Sequence, residues 1–294
     1  MTTVKLHQTK HPDEGAAKTY DGLIGIEAQK LELADHLLGV LDPDRVARWE
    51  KKHHPRGLPL ARRLEGRPPL AILAGEVGCG KTALATSVAT PIARLLDGRV
   101  VTLETPSDIR GGGLVGELSA RVTAAFDEAR TIVGKDGRGI LVIDEGDDLG
   151  TSRAQMQAHH EDRAGLNVLI KQIDGLARER TRLAVILVTN RLAALDPALV
   201  RRAHVLRFER PGAEARRALF EKLLEGHDCE ATALDELVRV SERQPPFTYS
   251  DLVHRGLQKS LLSAMRRDRP FSVTELGEAI GRLEPTPLIE DAGV

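Results

Sequence analysis

The sequence predicts an α/β protein in which strands alternate with helices over residues 21–210, followed by a small all-helical domain over residues 211–294. Three observations carry that prediction. Leu70 to Ala74 is a short apolar run between Pro68-Pro69 and Gly75, and alanines and leucines at helical spacing follow from Thr82 to Leu95. Such a run, bounded by turn residues, reads as a buried strand. Gly139 to Ile143 is a second run of this kind and ends in two acids, Asp144 and Glu145. From Ala213 onward, Arg216, Arg217 and Glu221 alternate with Ala218, Leu219, Phe220, Leu223 and Leu224, a helical pattern with no further strand. At 294 residues the chain is also long enough for one core to split into two.

Taken in order, residues 1–20 are polar and read as a flexible arm, without the apolar segment of a signal peptide. Asp21 to Glu27 opens a helix with apolar residues at Leu31, Ala34, Leu37 and Leu38. Asp42-Pro43 reads as an N-cap and first helical position for a second helix reaching Lys52. That helix and the stretch after it are basic, with Arg45, Arg48, Lys51, Lys52, Arg56, Arg62, Arg63 and Arg67 around Trp49. A solvated face beside an interface is the commoner outcome of such a stretch, and nucleic-acid contact is the alternative.

The segment Gly75-Glu76-Val77-Gly78-Cys79-Gly80-Lys81-Thr82 fits G-x-x-x-x-G-K-[ST], the phosphate-binding loop of nucleoside triphosphatases. Gly75, Gly78 and Gly80 let the backbone turn its N–H groups inward as an anion nest. Lys81 places a charge on the β- and γ-phosphates of ATP, and the Thr82 hydroxyl suits Mg²⁺. The helix that follows adds its dipole. Glu76, Val77, Gly78, Cys79, Gly80, Lys81, Thr82 and Ala83 are therefore the expected cofactor-binding residues. Cys79 reads as a small loop residue rather than a redox switch, because two cysteines build neither a disulfide framework nor a zinc site.

Val100 to Leu103 is strand-like, and Gly111-Gly112-Gly113-Leu114-Val115-Gly116-Glu117 follows it. That glycine-rich piece lacks the Lys-Ser/Thr ending, so it reads as a loop presenting Leu114 and Val115 rather than a second phosphate loop. A helix from about Leu118 to Val133 comes next. Asp144 and Glu145 then sit at the carboxyl tip of their strand, where open parallel sheets bind ligands. Asp144 can orient Mg²⁺ through its water shell, and Glu145 can deprotonate a water for attack on the γ-phosphate. Residues 150–163, with His159-His160, read as a mobile loop, and the helix after them is expected to end near Gly175. Leu183 to Val188 is the fourth strand, and Asn190 at its tip can hydrogen-bond the attacking water or the γ-phosphate. A short helix carrying Arg201 and Arg202 and a fifth strand, Val205 to Phe208, precede Arg210-Pro211-Gly212. Beyond Pro245-Pro246, Thr248 to Leu252 opens a capped helix.

Composition narrows the function. With 42 basic and 43 acidic residues, no excess charge favours bulk nucleic-acid or membrane binding. No apolar run approaches the roughly 18 residues of a membrane span. A cytoplasmic protein is expected.

These pieces in this order resemble the AAA+ ATPases over residues 21–285. The resemblance rests on Ile24-Gly25, Gly75–Thr82, Asp144-Glu145, Thr189-Asn190 and the run Leu195-Asp196 to Arg201. It implies a parallel five-stranded sheet flanked by helices, a helical lid, and a homo-oligomeric ring, usually a hexamer. Ile24 and Gly25 fall where the family holds adenine, and Arg201 and Arg202 where it keeps arginine fingers for the neighbouring subunit's γ-phosphate. Leu114 and Val115 fall on the first pore loop, which threads a polypeptide, with Leu114 in place of the usual aromatic; His159 and His160 fall on the second.

Within that family, Ala198 to Val205 is similar to the HORMA-domain remodellers, the pachytene-checkpoint ATPases and their compact bacterial relatives. Arg202-Ala203 fits their pattern, and His204 stands where other remodelling members have a second finger. Asp251 departs from it, occupying the lid position of the subfamily's nucleotide-sensing arginine. The resemblance implies an ATPase that remodels a HORMA-domain protein and so regulates a bacterial second-messenger nucleotidyltransferase in antiphage defence. The alternative is a DNA-associated ATPase, a loader or helicase helper, resting on the basic stretch Arg45–Arg67.

Overall fold

The structure, a computed structural model, describes residues 4–61, 68–107, 109, 116–146, 160–179, 181–227 and 229–288, with the backbone alone over 160–163. The chain forms two compact units. The first comprises Met1–Tyr20, Ala28–Ala74 and Thr82–Arg207; the second comprises Asp21–Glu27, Gly75–Lys81 and Phe208–Val294.

The sheet contains β1 (His7–His11), β2 (Leu70–Gly75), β3 (Val100–Glu104), β4 (Gly139–Ile143), β5 (Leu183–Thr189) and β6 (Ala203–Phe208). Among the described residues these six strands run in the order β1-β3-β4-β5-β2-β6. Pairs β3–β4, β4–β5 and β5–β2 are parallel. β4 and β5 are buried along their whole length, so their sequences are unbroken apolar runs.

Two expectations are corrected here. The sheet is mixed rather than a parallel sheet of five, and residues 7–11 are an edge strand rather than part of a flexible arm. β1 pairs antiparallel with β3, from His7 opposite Glu104 to His11 opposite Val100. Its side chains are mostly solvated, and main-chain hydrogen bonds to β3 hold it, so no apolar period advertises the strand. Its end is pinned by His11, whose ring hydrogen-bonds Thr90 Oγ1 at 2.7 Å and Thr102 Oγ1 at 2.9 Å. Burial lowers the pKa of that imidazole, against the raising influence of Asp13 and Glu104.

Helices α1 (Glu14–Gly22), α2 (Glu27–Leu41) and α3 (Arg45–His53) lie between β1 and β2 in the chain. α2 buries Leu33, Leu37 and Leu41, whereas Leu31 is exposed. α3 starts later than its sequence suggests: Asp44 is the N-cap, because the Asp42 carboxylate pairs with Arg48 instead. None of its residues is buried. The helix after the glycine loop is split into α4 (Lys81–Ser87) and α5 (Ala89–Leu95). The break precedes Pro91, which has no N–H to donate and whose ring would meet the carbonyl of Ser87.

α6 (Glu117–Val133) and α7 (His160–Glu179) pack against each other, so closely that a Cβ on Gly165 would lie 2.4 Å from Leu118 Cδ2. α7 continues past Gly175 to Glu179, beyond the expected end. A glycine inside a helix costs about 1 kcal/mol, and burial of Leu176 in the core offsets it.

The second unit holds α9 (Ala213–Leu223), α10 (Ala231–Val240), α11 (Gln258–Arg266) and α12 (Val273–Gly281), which follow the short α8 (Pro197–Val200) of the first unit. A wide helical stretch, Asp251–Leu257, leads into α11. Leu219, Phe220, Leu237, Phe247, Leu252, Leu276 and Ile280 form its core, with Ile24 and Tyr249 packed against it.

Candidate nucleotide site

In the second unit, the glycine loop is fastened by its own lysine. Lys81 is nearly buried, and its Nζ donates to the carbonyls of Gly75 at 2.8 Å and Glu76 at 2.7 Å. Gly78 has φ +74°, and a Cβ there would lie 2.9 Å from both Ser250 Cβ and Thr248 Oγ1. Its carbonyl accepts from Ser250 N at 3.1 Å. A side chain at this position would therefore meet the lid as well as obstruct the nest. Burial pushes the Cys79 thiol up to about 11, against Lys81 and Arg210, so Cys79 stays protonated and acts as loop packing. Gly25, at φ +79°, is also required: a Cβ would sit 2.3 Å from the Tyr249 hydroxyl. Ile24 beside it packs against the lid core.

In the first unit, β4 ends at the two acids. Asp144 uses both oxygens: Oδ2 accepts from Thr82 Oγ1 at 2.9 Å, and Oδ1 accepts from Glu145 N at 2.9 Å. Glu145 is exposed and adopts φ +54°, a left-handed conformation uncommon for a residue with a Cβ. Ile143 registers with Leu187 in β5, and Thr189 of β5 registers with Ala74 in β2. The acid pair and Asn190 thus share the carboxyl end of the sheet, where β2 also runs out. Half-buried Asn190 follows Thr189, whose hydroxyl accepts from Arg191 N at 3.0 Å.

Taken separately, the glycine loop of the second unit suits phosphate, and the Thr82–Asp144 pair of the first suits magnesium. The loop offers backbone N–H groups and a buried cation to phosphate, and Ala83 continues α4 directly behind Thr82. The paired hydroxyl and carboxylate are hard oxygen donors of the kind Mg²⁺ takes through one or two protein ligands and several waters.

The arginine pair lies at the end of α8. Asp196 caps that helix, its carboxylate accepting from Ala198 N at 2.8 Å with Pro197 in the first turn. Arg201 is exposed. Arg202 is half-buried and held within its own chain, by Asp174 Oδ1 at 2.9 Å and the Ala198 carbonyl at 2.9 Å. His204 stacks on His36 with ring centroids 4.7 Å apart and faces Glu32 at 3.0 Å. Leu114, Val115 and His159 lie outside the described residues, and His160 is the first residue of α7. Sequence reasoning passed over one buried group near the loop: Arg210, whose guanidinium meets the Glu76 carboxylate at 2.8 Å. In the sequence it stands before Pro211 and reads as a turn residue.

A parallel-centred sheet with an acid-tipped strand, and a lysine-bearing glycine loop, mark a P-loop ATPase. The profile of the ATPase family associated with various cellular activities (AAA) matches residues 71–210, and the chain belongs to this family of nucleotide-binding ATPases. It is similar to CD-NTase-associated protein 6 of Escherichia coli (strain MS 115-1), 37% identical over 293 residues, covering 95% of this chain and 94% of that protein. Its structure is similar to a chain of the E. coli MS115-1 HORMA:CdnC:Trip13 complex, with a TM-score of 0.90, 36% identity, and 97% of each chain covered. Rhizobiales Trip13 is also similar, with a TM-score of 0.74, 31% identity, and 96% of this chain and 98% of that one covered. Among the described residues no helix is long and apolar enough to cross a membrane.

Proposed function

We propose that this chain is a ring-forming ATPase that spends ATP hydrolysis on remodelling a HORMA-domain protein, and thereby controls a second-messenger nucleotidyltransferase in antiphage defence. The observation that carries this reading is the likeness, over 97% of both chains, to a component of a HORMA:CdnC:Trip13 complex. The ring is a cytoplasmic hexamer in this reading.

The side chains divide the work. Lys81 and the N–H groups of the glycine loop bind the phosphates, while Ile24 and Gly25 border the base. Thr82 and Asp144 would hold Mg²⁺, which when bound would supply positive charge beside the phosphates. Glu145 takes the proton of the attacking water, and Asn190 orients that water. Arg201 and Arg202 serve the neighbouring subunit's site. Leu114, Val115, His159 and His160 line the channel that grips the partner's chain.

The test uses a HORMA-domain protein bound to its nucleotidyltransferase. Adding this protein and ATP should dissolve that complex on size exclusion, whereas Glu145→Gln with ATP should remain bound to it. A complex that survives active ATP hydrolysis overturns the remodelling reading. Tight DNA binding at near-physiological salt, lost on neutralising Arg45, Lys51 and Lys52, would point to the DNA-associated alternative.

A further inference from the structure

The chain's final described residues are bound into the second unit by two buried charges of opposite sign. Arg210 has a side chain only 4% exposed, and it reaches three separate segments. Its Nη2 donates to Glu76 Oε2 at 2.8 Å and to the Pro287 carbonyl at 2.9 Å. Its Nη1 donates to the carbonyls of Pro246 at 2.7 Å and Thr286 at 2.6 Å. Asp251, equally buried, accepts from Thr286 N at 3.1 Å, Thr286 Oγ1 at 2.7 Å, Thr248 N at 3.1 Å and Arg255 Nη1 at 2.6 Å. Thr286 is therefore held at its carbonyl by the cation and at its N–H and hydroxyl by the anion.

Both charges lead back to the glycine loop. Glu76 is a pivot, since its carboxylate takes Arg210 while its carbonyl takes Lys81 Nζ. On the other side, Asp251 N donates to Thr248 Oγ1 at 3.0 Å, and the adjacent Ser250 N donates to the Gly78 carbonyl. The loop is thus fastened at Glu76 and at Gly78 to one network that closes on Thr286. The segment Pro285-Thr286-Pro287 suits this task. Flanking prolines keep it extended and leave Thr286 the sole N–H donor of the three, and that donor goes to Asp251.

We propose that Arg210 and Thr286 are positioning residues for the phosphate loop, and that the segment around Thr286 is a strap whose attachment sets how long the loop retains nucleotide. A loop with three glycines loses much chain entropy when it closes on phosphate. Tying Glu76 and Gly78 to a folded lid removes part of that cost beforehand, which is preorganisation of a binding site. Because both charges are buried, removing one partner leaves the other without water to replace it. Hydrogen bonds outweigh the burial that pushes the Asp251 carboxyl up, and hold it down at about 2, so the latch stays charged at any physiological pH. The proposal rests on the nucleotide-site reading above.

The test measures release of a fluorescent ADP analogue from the full-length protein by rapid mixing, beside a melting curve. Arg210→Gln should speed release about tenfold or more, the scale of one hydrogen bond to a charged group. Thr286→Val keeps the shape and removes only the hydroxyl, and should speed release about three- to tenfold. Arg210→Lys, keeping the charge without the fork, should fall between parent and Arg210→Gln. In each, the KM for ATP should rise without a matching fall in kcat. A purely structural role would lower the melting temperature and leave release alone. Parental release from a cooperatively folded Thr286→Val variant overturns the strap, and that variant decides the matter if Arg210→Gln does not fold. A parent that holds no analogue at all overturns the nucleotide site itself, a result distinct from failure of the strap.

Discussion

Thr82 and Asp144, 62 residues apart in the chain, are joined by a hydrogen bond of 2.9 Å from hydroxyl to carboxylate. One follows the glycine loop and the other ends β4, so the contact brings together the two oxygen donors best suited to Mg²⁺. In Asp144→Asn the geometry can persist while the negative charge is gone. Turnover should fall on the order of 10²-fold, the scale of one preorganised electrostatic contact, and titration with Mg²⁺ should require higher concentrations. Unchanged Mg²⁺ dependence would remove Asp144 from the metal site.

Lys81→Ala should weaken ATP binding by about 10²-fold, as expected for charged hydrogen bonds to phosphate. The loss has two sources: the charge itself, and the carbonyls of Gly75 and Glu76 that Lys81 Nζ now gathers. Calorimetric titration reads it directly. Affinity equal to the parent's would sink the phosphate-loop assignment.

Glu145→Gln should bind ATP normally and lose turnover by about 10²–10⁴-fold, the range for a general base. The amide cannot accept the water's proton, while Asp144 and Thr82 keep their contact. The φ of +54° at Glu145 is a conformational cost that the fold maintains at the tip of β4. Substantial turnover in this variant would place the base elsewhere.

Arg201→Ala and Arg202→Ala should lower turnover by up to about 10³–10⁵-fold, as for arginine fingers, without weakening each subunit's own nucleotide binding. Because Asp174 holds Arg202, Asp174→Asn should copy part of the Arg202→Ala defect. Mixing Arg202→Ala subunits with Lys81→Ala subunits should restore some turnover wherever an intact arginine faces an intact site. Mixed rings that form and stay inactive would argue against action across the interface.

Acid should loosen the N-terminal strand through His11. Its folded-state pKa lies below the ordinary 6.5, so on acidification the unfolded chain takes up a proton that the buried imidazole refuses. Stability is therefore complete above that value and is lost as pH falls through it towards the lowered pKa. Between pH of about 7.5 and 5.5 the melting temperature should drop more in the parent than in His11→Gln. Equal slopes would mean the histidine does not titrate on unfolding.

The candidate site residues could be picked out in the sequence because their signals are local. A glycine loop ending in Lys81-Thr82, an apolar run ending in Asp144-Glu145, and Asp196-Pro197 opening a helix each carry their meaning within a few positions. Repeated apolar runs likewise announced β2, β4 and β5, since strands buried on both faces have no polar alternation to dilute them. Tertiary structure decided the rest, wherever one partner is distant and polar. β1 is a strand only because β3 offers its edge and Thr90 and Thr102 receive His11. Arg210 looks like a turn arginine until Glu76, Pro246, Thr286 and Pro287 converge on its guanidinium, up to 134 residues away in the chain. A buried charge is tolerated only where several dispersed acceptors meet it, and the fold alone supplies that meeting.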